Sequence, residues 1–240
     1  YKDEVKRPLM FRSIPGSMTE EKLNCFSQLR IISVGVGLQS GSYNILKNIY
    51  KRPIKIKTFI ETIYKLHVRK ITPIIDVMLN NPYEKKPDLV ETIKTLSLLP
   101  KPFILELYGF TFYPGLEITS KAIDDNIIQD YDKAKNQSDI ERDNIKGFLN
   151  NIIYITPHFP RRFILYLIDK ENNIIISKMF PLLIIAGSFL NFIYFLNMIS
   201  KSQGYKIIGS IRFLFYTLDI NTTVIHAFPF LRRLVHKIKC

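Results

Sequence analysis

Three short runs of branched and aromatic residues recur through the first half of the chain, at Arg30–Val36, Ile71–Leu79 and Phe103–Phe110. Apolar runs of this length, rich in Ile and Val and closed by Gly or Pro, read as strands buried on both faces of a parallel sheet. Between them the spacing changes to that of helices. Ser42–Tyr50 is predicted helical, and Ile54–Val68 places Ile56, Phe59, Ile60, Ile63 and His67 on one face, with Pro53 just ahead. After the turn NNPYE, Pro87 and Asp88 open another helix in which Leu89, Ile93 and Leu96 share a face, and Pro100 and Pro102 end it. Upstream, Leu9–Pro15 supplies one more strand, and Thr19 caps a helix predicted over Glu20–Arg30, with Glu21 in its first turn.

Strand and helix alternating in units of about thirty residues is the rhythm of parallel β/α structure, which leaves an open doubly wound sheet or a barrel. So few repeats cannot close a barrel, and the missing strands are expected before residue 1. The opening YKDEVKRP reads as the middle of a longer chain, so a fragment or processed product is expected. Asp124–Asn144 is polar and marks the boundary, giving a β/α part over 1–123, a connection over 124–144 and a helical region over 145–240. Helices are expected there at Phe148–Tyr154, Arg161–Ile168, Lys178–Ser200 and Ile207–Leu218. Met179–Ser200 carries no charge between Lys178 and Lys201, which meets the length of a membrane-spanning helix. A core helix is the alternative, because Pro181, Gly187, Ser188, Asn191 and Asn197 dilute the run.

Composition changes this picture little. With 47% apolar residues in 240, the chain is globular. The net charge of +13 comes from lysines spread among Ile and Asn, as an A/T-rich coding sequence produces, so no nucleic-acid partner is expected. Arg232, Arg233, His236, Lys237 and Lys239 could meet anionic headgroups, which makes association with a membrane surface an alternative to a solvated helix face. Two cysteines, Cys25 and Cys240, form no disulfide framework and no metal spacing, which favours the cytoplasm. The four histidines, His67, His158, His226 and His236, are scattered, and no P-loop, G-x-S-x-G or H-E-x-x-H motif occurs.

Candidate chemistry therefore lies at the carboxyl ends of the strands, where parallel β/α folds present loops and helix amino termini to ligands. The first end is GVGLQSGS, Gly35–Ser42, in which small residues admit close approach and Gln39, Ser40 and Ser42 offer polar groups. The second is Asp76, a carboxylate within an apolar strand, which needs either a partner such as Arg52 or the hydroxyls of a ligand. The third is YGFTFYPGLEI, Tyr108–Ile118, whose aromatic faces suit a flat ligand or the core. Arg52 can fork onto a carboxylate or stand as a surface charge.

Taken in order, SVGVGLQSGSYNILKNIYKRPI, IIDVMLNNPYE, DLVETIKTLSLLPKP and FTFYPGLEITSKA resemble the later barrel segments of radical S-adenosylmethionine enzymes. The group resembled carries an amino-terminal cobalamin-binding domain and is related to the anaerobic magnesium-protoporphyrin ester cyclases. The resemblance covers about residues 1–123 and implies a partial (β/α) barrel of TIM-like type followed by a helical carboxy-terminal region. It implies that Gln39 and Ser40 hydrogen-bond S-adenosylmethionine, that Arg52 pairs with its carboxylate, that Asp76 holds its ribose hydroxyls, and that the backbone of Tyr108–Phe110 lies by its adenine. It further implies a 4Fe-4S cluster, cobalamin, and a small-molecule substrate for radical chemistry or methyl transfer. The CxxxCxxC motif is absent, so the cluster ligands and the amino-terminal half would have to come from elsewhere in a parent protein. The family's PGT turn reads Pro114, Gly115, Leu116 here. The expectation is thus a carboxy-terminal part of a radical enzyme, inactive alone, with a degenerate binding protein or a membrane-associated interaction protein as the alternatives.

Overall fold

A computed structural model of the protein describes residues 8–129 and 147–201. The strands predicted from apolar runs are present as β1 (Leu9–Ser13), β2 (Ile31–Gln39), β3 (Thr72–Leu79) and β4 (Ile104–Gly109). They form one parallel sheet in the order β1-β2-β3-β4. The connections carry α1 (Glu20–Ser27), α2 (Ile56–Val68) and α3 (Lys86–Ser97), and α4 (Glu117–Asp124) follows β4. Thr19 caps α1 by accepting from the Lys22 amide at 3.4 Å, as its side chain suggested. The helix stops at Ser27, three residues short of the expected end, because the chain must turn into β2.

The segment predicted as a helix over Ser42–Tyr50 is helical over 43–49, closing as a π-helical turn at Ile45–Ile49, and α2 starts only at Ile56. Between them Lys51 adopts a positive φ of 52°, so the chain bends where Pro53 would already prevent a continuous helix. At α3 the Asp88 carboxylate accepts from the Lys85 amide at 2.9 Å, closing the amino terminus over Pro87.

All three crossover helices pack on one side of the sheet. Leu23 of α1, Phe59, Ile63 and Leu66 of α2, and Ile93 and Leu96 of α3 share a core with Val34, Val36, Leu38, Ile75, Val77, Leu79, Leu105 and Leu107. Each fully buried side chain of this kind contributes about 1.5–3 kcal/mol relative to exposure. Strand alternation sends Arg12, Gly35, Gly37, Asp76, Glu106 and Tyr108 to the opposite face.

The second half supplies α5 (Phe148–Ile155), α6 (Arg161–Ile168) and α7 (Ile174–Lys201). Helices α5 and α6 lie on α3, and α7 lies on α5, so Leu149, Ile152, Ile164, Leu167, Phe180 and Ile184 extend the same core. Lys101 ties the halves together by donating to the carbonyl of Thr156, 2.8 Å away, and to that of Phe159. The helix expected at Ile207–Leu218, the basic cluster from Arg232 and most of the polar connection lie outside the described residues. Within α7, Ile174–Ile193 is long and apolar enough to cross a membrane, with a mean hydropathy of 1.8.

Candidate functional site

The site is built where β2, β3 and β4 end. In β2 the alternation Val34, Val36, Leu38 commits one face to the core, which leaves Gly35, Gly37 and Gln39 on the other. A β-carbon on Gly37 would sit 2.9 Å from the Gln39 amide nitrogen and 3.5 Å from the Arg52 guanidinium. The missing side chain is therefore the space into which Gln39 and Arg52 extend together. Gln39 has a φ of 67°, which turns the chain out of the strand. Arg52 is fixed by its backbone, whose amide donates to the Leu46 carbonyl at 2.7 Å and whose carbonyl accepts from Ile54 at 2.7 Å.

These groups face a cavity of about 600 Å³ bounded by Gln39, Tyr50, Arg52, Tyr108, Phe110 and Glu117. Tyr50 and Phe110 stack in its wall with ring centroids 5.9 Å apart and an interplanar angle of 25°, and Phe112 meets Phe110 edge-on at 5.0 Å. The Tyr50 hydroxyl accepts from Asn81 at 3.0 Å, and burial pushes it well above the ordinary tyrosine range. At the rim, Lys51 pairs with Glu117 at 3.2 Å. Arg52 has no acidic partner among the described residues, and the buried Gln39 Oε1 has no donor among them. A cavity of this size with aromatic walls and a guanidinium in its lining suits a flat organic molecule that carries a carboxylate.

Four of the residues singled out in the sequence, Gln39, Arg52, Tyr108 and Phe110, thus line one cavity. Ser40 and Asp76 lie outside its lining. Ser40 is buried and donates to Glu84 Oε1 at 2.6 Å, while its oxygen accepts from the Ser42 amide at 3.2 Å. Ser42 in turn donates to Asp88 at 2.6 Å, so the hydroxyls of this loop fasten β2 to the start of α3. Burial, opposed by the Ser40 bond and reinforced by Asp88, pushes the Glu84 carboxyl up to about 7.

Asp76 does have an arginine partner, but it is Arg12 rather than Arg52. The Arg12 side chain crosses Gly35, where a β-carbon would be 2.9 Å from its Cγ, and reaches Asp76 Oδ2 with one nitrogen. Its other nitrogen meets Glu106 at 2.5 Å and the Tyr108 hydroxyl at 3.1 Å. Tyr108 donates to the same Glu106 oxygen at 2.6 Å, which links this network to the cavity wall. Burial raises the Asp76 carboxyl, against the lowering effect of Arg12 and with a contribution from Glu106. Asp76 Oδ1 is buried without a partner among the described residues. Glu106 is as deeply buried in an apolar strand as Asp76, and the signal that marks one in the sequence marks the other. Nothing local marks Arg12, because its partners lie 64 and 94 residues away.

Among the described residues no group of three or more His, Cys, Asp or Glu side chains could hold a metal ion, and Cys25 is exposed on α1. No family model matches the chain, and no curated protein matches it.

Proposed function

We propose that the cavity at the carboxyl end of the sheet binds S-adenosylmethionine, and that the chain is the later part of a radical S-adenosylmethionine barrel. The observation that carries this reading is the Arg52 guanidinium, which lies with the Gln39 side chain in the space over Gly37, lines an aromatic-walled cavity and has no acidic partner among the described residues. In this reading Arg52 takes the amino-acid carboxylate, the Gln39 side-chain amide hydrogen-bonds the ligand beside it, and Phe110 and Tyr50 give the adenine an apolar wall. The sequential strand order with every crossover helix on one face is that of a barrel arc and supports the same reading. Asp76 and Ser40 have no part in the cavity in this reading, since Arg12 and Glu84 engage them.

A 4Fe-4S cluster does not fit the described residues, which hold no set of ligands for it, and no step is derived through a cluster or through cobalamin. The family's radical or methyl-transfer chemistry stands as a proposal for a parent protein that brings those groups and the small-molecule substrate. The exposed free Cys25 suits a reducing compartment, and the cytoplasm is the proposed location.

Isothermal titration of the chain with S-adenosylmethionine tests the site. Wild type is expected to bind saturably, and Arg52→Ala to weaken binding about tenfold to a hundredfold, as loss of a charge-assisted hydrogen bond of about 1.5–3 kcal/mol requires. Adenosine, which has no carboxylate, should be indifferent to that substitution. Absence of saturable binding to the wild type at millimolar ligand overturns the assignment.

A further inference from the structure

Helix α7 is apolar on two opposite sides, and among the described residues only one of them is covered. Phe180, Ile184 and Gly187 are buried against α5, where Phe180 meets Phe148 with centroids 4.8 Å apart and Gly187 lies close to His158 and Tyr154. Ser188 and Asn191 complete this face through the Tyr154 hydroxyl, at 2.8 Å and 3.5 Å. On the far side Ile175, Met179, Leu182, Ala186, Phe189 and Ile193 are all exposed, Ile175 at 70%, Leu182 at 65% and Phe189 at 63%. Their spacing is 4, 3, 4, 3, 4. That is the a/d repeat of a helix that meets another helix, since a period of 3.5 keeps one seam facing a partner around which it supercoils.

We propose that α7 pairs with α7 of a second copy of this chain, antiparallel about a two-fold axis between Leu182 and Ala186. A closed two-fold pair requires the seam to complement itself, with residue i facing j and j facing i. About that axis Ile175 faces Ile193, Met179 faces Phe189, and Leu182 faces Ala186. The bulky Leu182 meets the smallest residue of the seam, and a thioether meets an aromatic ring. Charge selects the direction. In a parallel pair the two Lys178 side chains would stand at the same level, whereas the antiparallel pair separates them by twelve residues, about 18 Å of helix and beyond the screening length of about 8 Å.

The six seam residues form one exposed stripe from Ile175 to Ile193, about 27 Å of helix. A helix that spans a bilayer is the poorer fit, because α5 seats the opposite face of the same stretch.

Sedimentation velocity of the full chain from 1 to about 100 μM tests the pairing. The expected result is a species of twice the 28.1 kDa chain mass. Leu182→Glu and, separately, Phe189→Glu should each weaken self-association at least a hundredfold with an unchanged far-ultraviolet spectrum. Ala186→Leu, which keeps the helix apolar but crowds Leu182, should weaken it by a smaller factor and covers the case in which the acidic variants misfold. With Cys25 and Cys240 replaced by Ser, the double variant Ile175→Cys/Ile193→Cys should oxidise to a covalent dimer and Ile175→Cys alone should not. A monomer at every concentration, a dimer insensitive to these substitutions, or cross-linking by Ile175→Cys alone overturns the proposal. So does a monomer that floats with phosphatidylglycerol vesicles, which would give the apolar face to lipid instead.

Discussion

Replacement of Arg12 by Met tests whether one partly exposed cation holds the open face of the sheet together. Asp76 and Glu106 face each other in register on β3 and β4, and their side chains are only 10% and 6% exposed. Methionine keeps most of the Arg12 stem over Gly35 but leaves two adjacent buried carboxylates without a cation. Removal of one partner from a buried ion pair costs about 3–5 kcal/mol. The Arg12 side chain is 58% exposed, so water already screens its side of the interaction, and a cost of about 3 kcal/mol is expected near neutral pH. The cost should depend on pH in a defined direction. The folded Asp76 carboxyl is already raised above its unfolded value by burial, so the folded state holds its proton more tightly. Its contribution is complete below the unfolded pKa of about 3.9 and is lost as pH rises through the folded pKa. Loss of Arg12 raises that carboxyl further, because the two acids must then share a proton. Urea denaturation from pH 4 to 8 should show Arg12→Met close to wild type at the acid end and progressively weaker toward pH 8. Asp76→Asn combined with Arg12→Met should recover much of the loss. A pH-independent deficit, or one below about 1 kcal/mol at pH 8, refutes the reasoning, since an uncompensated buried charge cannot be that cheap.

Gly41→Ala should be among the most damaging single-methyl changes in the protein. Its β-carbon would lie 2.4 Å from Thr92 Cα and 2.8 Å from the Glu91 carbonyl, backbone that can move only with α3, so a loss of about 3 kcal/mol or more is expected from the urea midpoint. Gly37→Ala meets only the flexible ends of Gln39 and Arg52. It should cost less than about 1.5 kcal/mol in the same assay while weakening S-adenosylmethionine binding about tenfold by calorimetry. Glu84→Gln should flatten the dependence of stability on pH. The folded Glu84 carboxyl, at about 7, contributes stability that is full below about pH 4.3 and is lost as pH rises through 7, so the variant should gain on wild type above pH 7.

Period and punctuation, both local properties, are why the elements were legible in the chain. Ile71–Leu79 and Phe103–Phe110 match β3 and β4 to within a residue or two, and Arg161–Ile168 matches α6 at both ends. Ser42–Tyr50 was legible as a helix and is helical over 43–49, but its closing π turn at Ile45–Ile49 was not, since Pro53 and the turn at Lys51 force the chain to bend there. The exposed seam of α7 is equally present in the sequence, but which of its two apolar sides meets the body depends on where α5 lies.

The sequence by itself determined which segments become strands and helices, that the strands run parallel, and that polar groups gather at their carboxyl ends, because these follow from the spacing of neighbours along the chain. Only the tertiary structure decided which charge meets which. Arg12 reaches Asp76 because only β2 separates β1 from β3 and Gly35 of β2 leaves a path between them, whereas Arg52 stays uncommitted beside Gln39. A partner for a buried charge is chosen by distance across the sheet, and residues far apart in the chain carry no local pattern that announces it.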